Sequence, residues 1–106
     1  MARYLFIARY NSEGTRGVAA NGGSSRRAAV QKMAEAIGGR METFDFAFGS
    51  DDVYTLVELP DNTAAAALAL AVNAAGQASV RTVPLVTPEE VDEAASRTVE
   101  YLPPLH

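Results

Sequence analysis

Residue types that carry much of enzyme and metal chemistry are scarce in this sequence. It contains no cysteine and one histidine among 106 residues. Without cysteine, the chain can form no disulfide bond, no thiolate metal site and no thiol nucleophile. The one histidine, His106, ends the sequence, where residues usually lie outside the packed structure. The sequence therefore predicts no metal and no cofactor.

A long apolar run and an excess of positive charge are also missing. The most apolar stretch, residues 64–75, is about twelve residues long, whereas roughly 20 are needed to span a bilayer. The formal net charge of −4 has the wrong sign for binding the phosphates of nucleic acid. The first ten residues also lack the pattern of a signal peptide. We therefore expect a cytoplasmic protein that binds neither membranes nor nucleic acid.

What the sequence does contain is enough apolar residues, 48% of the chain, to form the core of one domain. Alternating apolar residues predict four strands, at residues 2–10, 40–48, 53–59 and 77–86. Capping residues and helical spacing predict three helices, whose caps lie at Ser24-Ser25, within the segment Pro60-Asp61-Asn62-Thr63, and at Thr87. Four glycines between residues 11 and 23 predict a long loop, with a short turn of helix as the alternative.

This order of elements is β-α-β-β-α-β with an extra C-terminal helix, which is the α+β arrangement of the ferredoxin-like fold. We expect a four-stranded antiparallel sheet in the order 4-1-3-2, with helices on one face. Residues 1–98 would form one domain, and residues 99–106 an extended tail with paired prolines. Because the central strands are apolar on both sides, the bare face needs a cover. The pattern thus predicts a homodimer or higher oligomer whose two sheets pack together as a dimeric α/β barrel.

Several stretches of the chain resemble the GYD domain family: YLFIARY, NSEGTRG, AIGGR, FAFGSDDVYTLVELPD, AAAALALAVNAAG and VRTVPLVTPEEVDE. The hairpin of that family typically has a glycine and an aspartate, an apolar strand and then Pro-Asp, which Gly49, Asp52, Pro60 and Asp61 match. Residues 50–51 depart from the pattern, since the family tends to have an aromatic near the glycine. The resemblance covers roughly residues 3–97. It implies a ferredoxin-like, dimeric α+β barrel protein of bacterial or archaeal type, without an established activity.

The segment from Gly49 to Asp52 places two adjacent aspartates between two strands. The favoured interpretation is a hairpin turn, because glycine adopts positive φ freely and aspartate hydrogen-bonds its own backbone. The alternative is an acidic site in which Asp52, on the same side as Tyr54, acts as a base or binds a ligand hydroxyl.

Arginines and tyrosines within the strands are the other candidates for a ligand pocket. The arginines are most simply residues at the edge of the sheet, and the functional alternative for them is an anion contact inside the barrel. The tyrosines are most simply core or interface residues. The complete candidate set is Arg9, Tyr10, Asp52, Tyr54 and Arg81.

Two functions fit these observations. The first is a non-catalytic module that binds a small molecule or a partner. The alternative is a cofactor-independent dimeric-barrel enzyme, similar to a monooxygenase or an isomerase, which the fold alone suggests. A fully packed interior would remove the substrate site, whereas a cavity of several hundred Å³ with converging polar groups would favour the enzyme.

Overall fold

The computed structural model describes residues 1–105, which form one antiparallel sheet and four helices. The strands are β1 (Ala2–Tyr10), β2 (Arg40–Phe46), β3 (Val53–Leu59) and β4 (Ala78–Leu85). The helices are α1 (Ser12–Asn21), α2 (Gly23–Ala36), α3 (Asn62–Ala75) and α4 (Pro88–Ser96). The strand order β2-β3-β1-β4 is the predicted order read from the other edge. The α+β, ferredoxin-like fold is thereby confirmed.

The segment predicted as a loop, residues 11–23, instead contains the ten-residue helix α1. Asn11 caps it, because its side chain accepts a hydrogen bond from the Gly14 N–H at 2.9 Å. The same side chain donates to the Gly76 carbonyl at 2.7 Å and fastens the start of the helix to the α3–β4 connection. Gly14 is there for close packing, since a Cβ at this position would overlap the carbonyl oxygen of Gln77. The loop prediction was wrong because it took the glycines as a sign of a flexible backbone, whereas Gly14 serves close packing inside a helix.

The start of α2 also differs from the prediction. The helix begins at Gly23, and its N-cap is Gly22 rather than a serine. Gly22 has a φ of 87°, a conformation that favours glycine and interrupts the helical path between α1 and α2. Both serines thus lie within the first turn. The sequence signal was ambiguous because serine is common both at a cap and just after it.

The caps of the last two helices agree with the prediction. Asp61 caps α3 by accepting from the Ala64 N–H at 2.9 Å, and Gly76 ends that helix in the left-handed conformation. At α4, Thr87 and Glu90 form a capping box, in which each side chain accepts from the other residue's backbone N–H. These polar contacts satisfy N–H groups that the helices themselves leave free.

The core lies between the sheet and helices α2 and α3. Its buried members are aromatic and branched residues of β1 and β3 together with two alanines and a leucine of the helices: Tyr4, Phe6, Val57, Leu59, Ala34, Ala65 and Leu68. The alanines let the helices approach the sheet closely. Each large apolar side chain buried here contributes roughly 1.5–3 kcal/mol to folding. The Tyr4 hydroxyl, the polar end of this buried side chain, donates a hydrogen bond to Asn62 Oδ1 at 2.6 Å.

Within residues 1–105, none of the helices α1–α3 packs on the opposite face of the sheet, which we call the helix-free face. Strand register places six apolar side chains on it: Leu5, Ile7, Tyr54, Leu56, Val83 and Leu85. Tyr54 and Val83 are 38% and 37% exposed. At the edge of this face, Arg3 pairs with Glu42 at 3.0 Å, and Arg40 pairs with Glu58.

The C-terminal segment, residues 86–105, extends from the sheet. All residues from 88 to 105 are exposed, and the longest dimension of the protein is 55 Å. Residues 1–85 carry eight basic and eight acidic side chains, whereas the C-terminal segment carries one arginine and five acidic side chains. The net negative charge of the chain therefore lies in this segment. Among the helices of residues 1–105, none is both long and apolar enough to cross a membrane.

Candidate functional site

A cavity of about 370 Å³, open to solvent on one side, lies between α1, α2, α3 and the end of β1. Its size is in the range of small-molecule sites, which are typically ~300–1,000 Å³. The walls are mostly apolar and include Val18, Met33, Ala71 and Val72. A second space of about 40 Å³ extends toward the core and shares several of the same lining residues. We call the larger space the α1–α3 cavity.

The helix that the sequence did not predict forms one side of this cavity. Helix α1 follows β1 directly, and Gly22 connects it to α2, which also lines the cavity. The Gly22 N–H donates to the Val18 carbonyl at 2.7 Å, which fixes the turn. The absence of a side chain at Gly14 lets α1 approach the start of β4. The α1–α3 cavity therefore depends on two glycines. A Cβ at Gly14 would overlap the backbone of Gln77, and Gly22 has a positive φ.

Arg26 and Tyr10 bring polar groups to the cavity. The Nε of Arg26 is buried, and no atom of residues 1–105 forms a hydrogen bond with it. Tyr10 is partly buried, and burial raises the pKa of its phenol, while the nearby Arg26 cation partly opposes that shift. The phenol therefore stays protonated at neutral pH and can donate a hydrogen bond. Together the two residues offer donors to a ligand that carries an acceptor.

Asp52 holds Tyr10 in place through the backbone. Its Oδ2 accepts from the Tyr10 N–H at 2.8 Å, and its own N–H donates to the Ala8 carbonyl at 2.8 Å. Its carbonyl accepts from the Ala47 N–H at 2.8 Å, which closes the β2–β3 connection. Asp52 thus joins the hairpin turn to the end of β1, beside the α1–α3 cavity.

The three other candidates, Arg9, Tyr54 and Arg81, lie around the same turn but on the helix-free face. Arg9 Nε donates to the Ser50 carbonyl at 2.8 Å. Arg81 Nη2 is 3.1 Å from Asp51 Oδ2, and the Tyr54 hydroxyl is 3.5 Å from the same oxygen. The aspartate beside Tyr54 is therefore Asp51 and not Asp52. The five predicted candidates do not form one site.

Sequence reasoning missed Arg26 as a site residue. The position of Arg26 in the sequence could have identified it. Arg26 precedes Val30, Met33 and Ile37 at helical spacing, so a cation lies on the apolar stripe of α2. Glu13 was also missed; it lines the cavity and accepts from Gln77 Nε2 at 3.0 Å. In the part of the chain that the structure describes, no group of three acidic or histidine residues could hold a metal ion.

Comparison with known proteins identifies the family. The model of the GYD domain matches residues 4–95, which is most of the chain. No curated protein and no solved structure matches the chain significantly. The match includes the hairpin, most of β1, the other three strands and the three helices that line the cavity. The chain therefore belongs to the GYD domain family.

Proposed function

We propose that this protein is a small-molecule-binding module whose site is the α1–α3 cavity. The observation that carries the proposal is the buried Nε of Arg26, which has no partner among residues 1–105 and lies in the lining of a cavity of about 370 Å³. A buried polar group without a hydrogen bond costs roughly 1–3 kcal/mol, and more when it is charged. A bound ligand that supplies an acceptor would remove that cost once the partly buried Arg26 side chain turns its Nε toward the cavity.

Binding is tested with the fluorescent dye 1-anilinonaphthalene-8-sulfonate as the probe. Ala71 lines the cavity on α3, whereas its neighbour Leu70 is 70% exposed and does not line it. We expect Ala71→Phe to weaken binding of the dye at least tenfold, because the ring fills part of the cavity. Leu70→Phe, the matched control, should bind as the wild type does. Equal affinity in all three proteins would contradict the proposal.

Native mass spectrometry of the protein purified from cells then looks for a retained ligand. We expect extra mass on the folded wild type that disappears on denaturation and is reduced in Ala71→Phe. The exact mass of the released compound would give its composition. Retention of the same compound by Ala71→Phe at the wild-type level would place it outside the α1–α3 cavity.

A cofactor-independent enzyme is the second candidate, and the size of the cavity favours it. Tyr10 would serve such an enzyme as a hydrogen-bond donor, because its raised pKa keeps the phenol protonated. Glu13 is the only acidic residue in the cavity lining and would be the base. Glu13→Gln should then abolish turnover of a bound compound while its affinity stays within about twofold. A compound released unchanged by the wild type favours the binding module.

We also infer that two copies of the chain associate through the helix-free face. Support comes from its apolar side chains, of which Tyr54 and Val83 are more than a third exposed, since an apolar sheet face that no helix covers is unusual for a monomer. A second copy presents the same surface, as a two-fold interface requires. The two sheets would then close as a dimeric α/β barrel.

Sedimentation velocity tests this association. The wild type should sediment at twice the chain mass of 11.2 kDa. Leu56→Glu places two carboxylates in the centre of the proposed interface and should shift the protein to monomer. Leu70→Glu makes the same chemical change on an exposed position of α3 and should leave the dimer intact. A monomeric wild type at micromolar concentration would refute the inference.

A further inference from the structure

The amino end of α2 differs from those of the other helices in lacking a side-chain cap. Asn11, Asp61 and Thr87 cap α1, α3 and α4, whereas Gly22 at α2 has no side chain to offer. The first turn of α2 also contains no acidic residue. The first N–H groups of a helix lack partners inside it, and the end carries a partial positive charge. This end of α2 lines the α1–α3 cavity through Gly22 and Ser25.

An uncapped helix end alone is common, but Arg26 adds an independent observation at the same place. Its Nε is buried and has no hydrogen-bond partner in residues 1–105. The only carboxylate in the cavity lining, that of Glu13, accepts a hydrogen bond from Gln77. The Arg26 side chain as a whole is only partly buried, and its guanidinium forms no ion pair with a carboxylate of residues 1–105. A bound anion could therefore supply the pairing charge.

We propose that the α1–α3 cavity takes a small organic carboxylate with an apolar body. The carboxylate would accept from Arg26, from the Tyr10 hydroxyl and from the start of α2. The apolar body would lie against Met33, Ala71 and Val72, which line the same space. This inference rests on the proposed function and specifies the chemical class of its ligand.

A singly charged ligand fits better than a phosphate. The Arg26 cation can pair with one negative charge, and the Glu13 carboxylate in the same lining would repel a second, whereas phosphate monoesters carry nearly two at neutral pH. A planar carboxylate also matches the fork of donors on a guanidinium. Tyr10 remains a donor across the neutral range because burial raises the pKa of its phenol.

The test compares two probes of equal size, 4-phenylbutanoate and its neutral amide, by NMR titration. We expect the wild type to bind the carboxylate about tenfold or more tightly than the amide. Arg26→Gln should lose this preference, while Arg26→Lys should keep part of it because the charge remains. Arg27→Gln, the matched control, removes the same charge at an exposed neighbour that does not line the cavity and should keep the preference.

Each result of these titrations either supports or refutes the carboxylate inference. Equal binding of the two probes, or a preference that survives Arg26→Gln, overturns the carboxylate inference while leaving the proposed function intact. Tighter binding of phenyl phosphate than of 4-phenylbutanoate also overturns it. Failure of the wild type to bind either probe or the dye removes the proposed function as well.

Discussion

Gly39 and Gly17 allow one chemical change to be tested in two opposite environments. Gly39 lies between α2 and β2, where a Cβ would overlap the Glu58 carbonyl oxygen and lie 2.5 Å from Leu59 Cδ2. Gly17 lies in α1, where a Cβ would meet no other part of residues 1–105 within 4 Å. Gly39→Ala should therefore destabilise the protein, and Gly17→Ala should stabilise it.

The magnitudes follow from two opposing effects. Forcing a methyl group against the backbone of β3 costs about 1–3 kcal/mol, because the strand cannot move without disturbing its ladder. Replacing glycine by alanine recovers roughly 0.4–1 kcal/mol by restricting the unfolded chain. We therefore expect Gly39→Ala to lose about 1–2 kcal/mol. Gly17→Ala has no clash and should gain roughly 0.5–1 kcal/mol.

Thermal unfolding followed by circular dichroism measures both variants. For a domain of roughly 100 residues, 1 kcal/mol corresponds to about 4–8 °C in Tm. Gly39→Ala should melt about 4–16 °C below the wild type, and Gly17→Ala about 2–8 °C above it. Two increases of similar size would show that β3 yields to the methyl group, and would refute the argument from close packing at Gly39.

Two further predictions concern a helix cap and an ion pair. Thr87→Ala removes half of the capping box and should destabilise α4 by roughly 0.5–2 kcal/mol. Amide exchange in α4 should therefore accelerate, while the Tm of the domain stays unchanged. A lower Tm would show that α4 packs on the domain. The Arg3 hydrogen bond lowers the pKa of Glu42, so the stability that this carboxylate contributes is present at neutral pH and is lost as the pH falls through its lowered pKa. Glu42→Gln should therefore be less stable than the wild type in urea at neutral pH, and the difference should shrink in acid; a constant difference would count against the ion pair as its cause.

The strands were accessible from the sequence because each has a period-two apolar pattern with clear stops, and their order followed from the succession of strands and helices along the chain. The later helices were accessible for a similar reason, since Asp61, Gly76 and the Thr87–Glu90 pair mark their ends. Helix α1 was not, because glycine has a low intrinsic helix propensity. Only the approach of Gln77 to Gly14 shows why a glycine is needed inside that helix.

The candidate site was predicted only in part. Alternation along β1 already puts Tyr10 and Arg9 on opposite faces, so a single pocket containing both was inconsistent with a regular strand. Asp52 lies outside the strands, and its contact with the Tyr10 N–H depends on how the turn folds back. Arg26 could not be identified by residue type, because its importance comes from a buried nitrogen that lacks a partner.

The uneven distribution of charge has a consequence for the behaviour of the protein in solution. The first 85 residues have a formal net charge of zero, because their eight basic and eight acidic side chains balance. Proteins near zero net charge repel one another weakly and precipitate more readily. The acidic C-terminal segment supplies the repulsion that keeps neighbouring molecules apart. Proteolytic trimming of this exposed end would therefore raise the isoelectric point and lower the solubility of a domain whose core is unchanged.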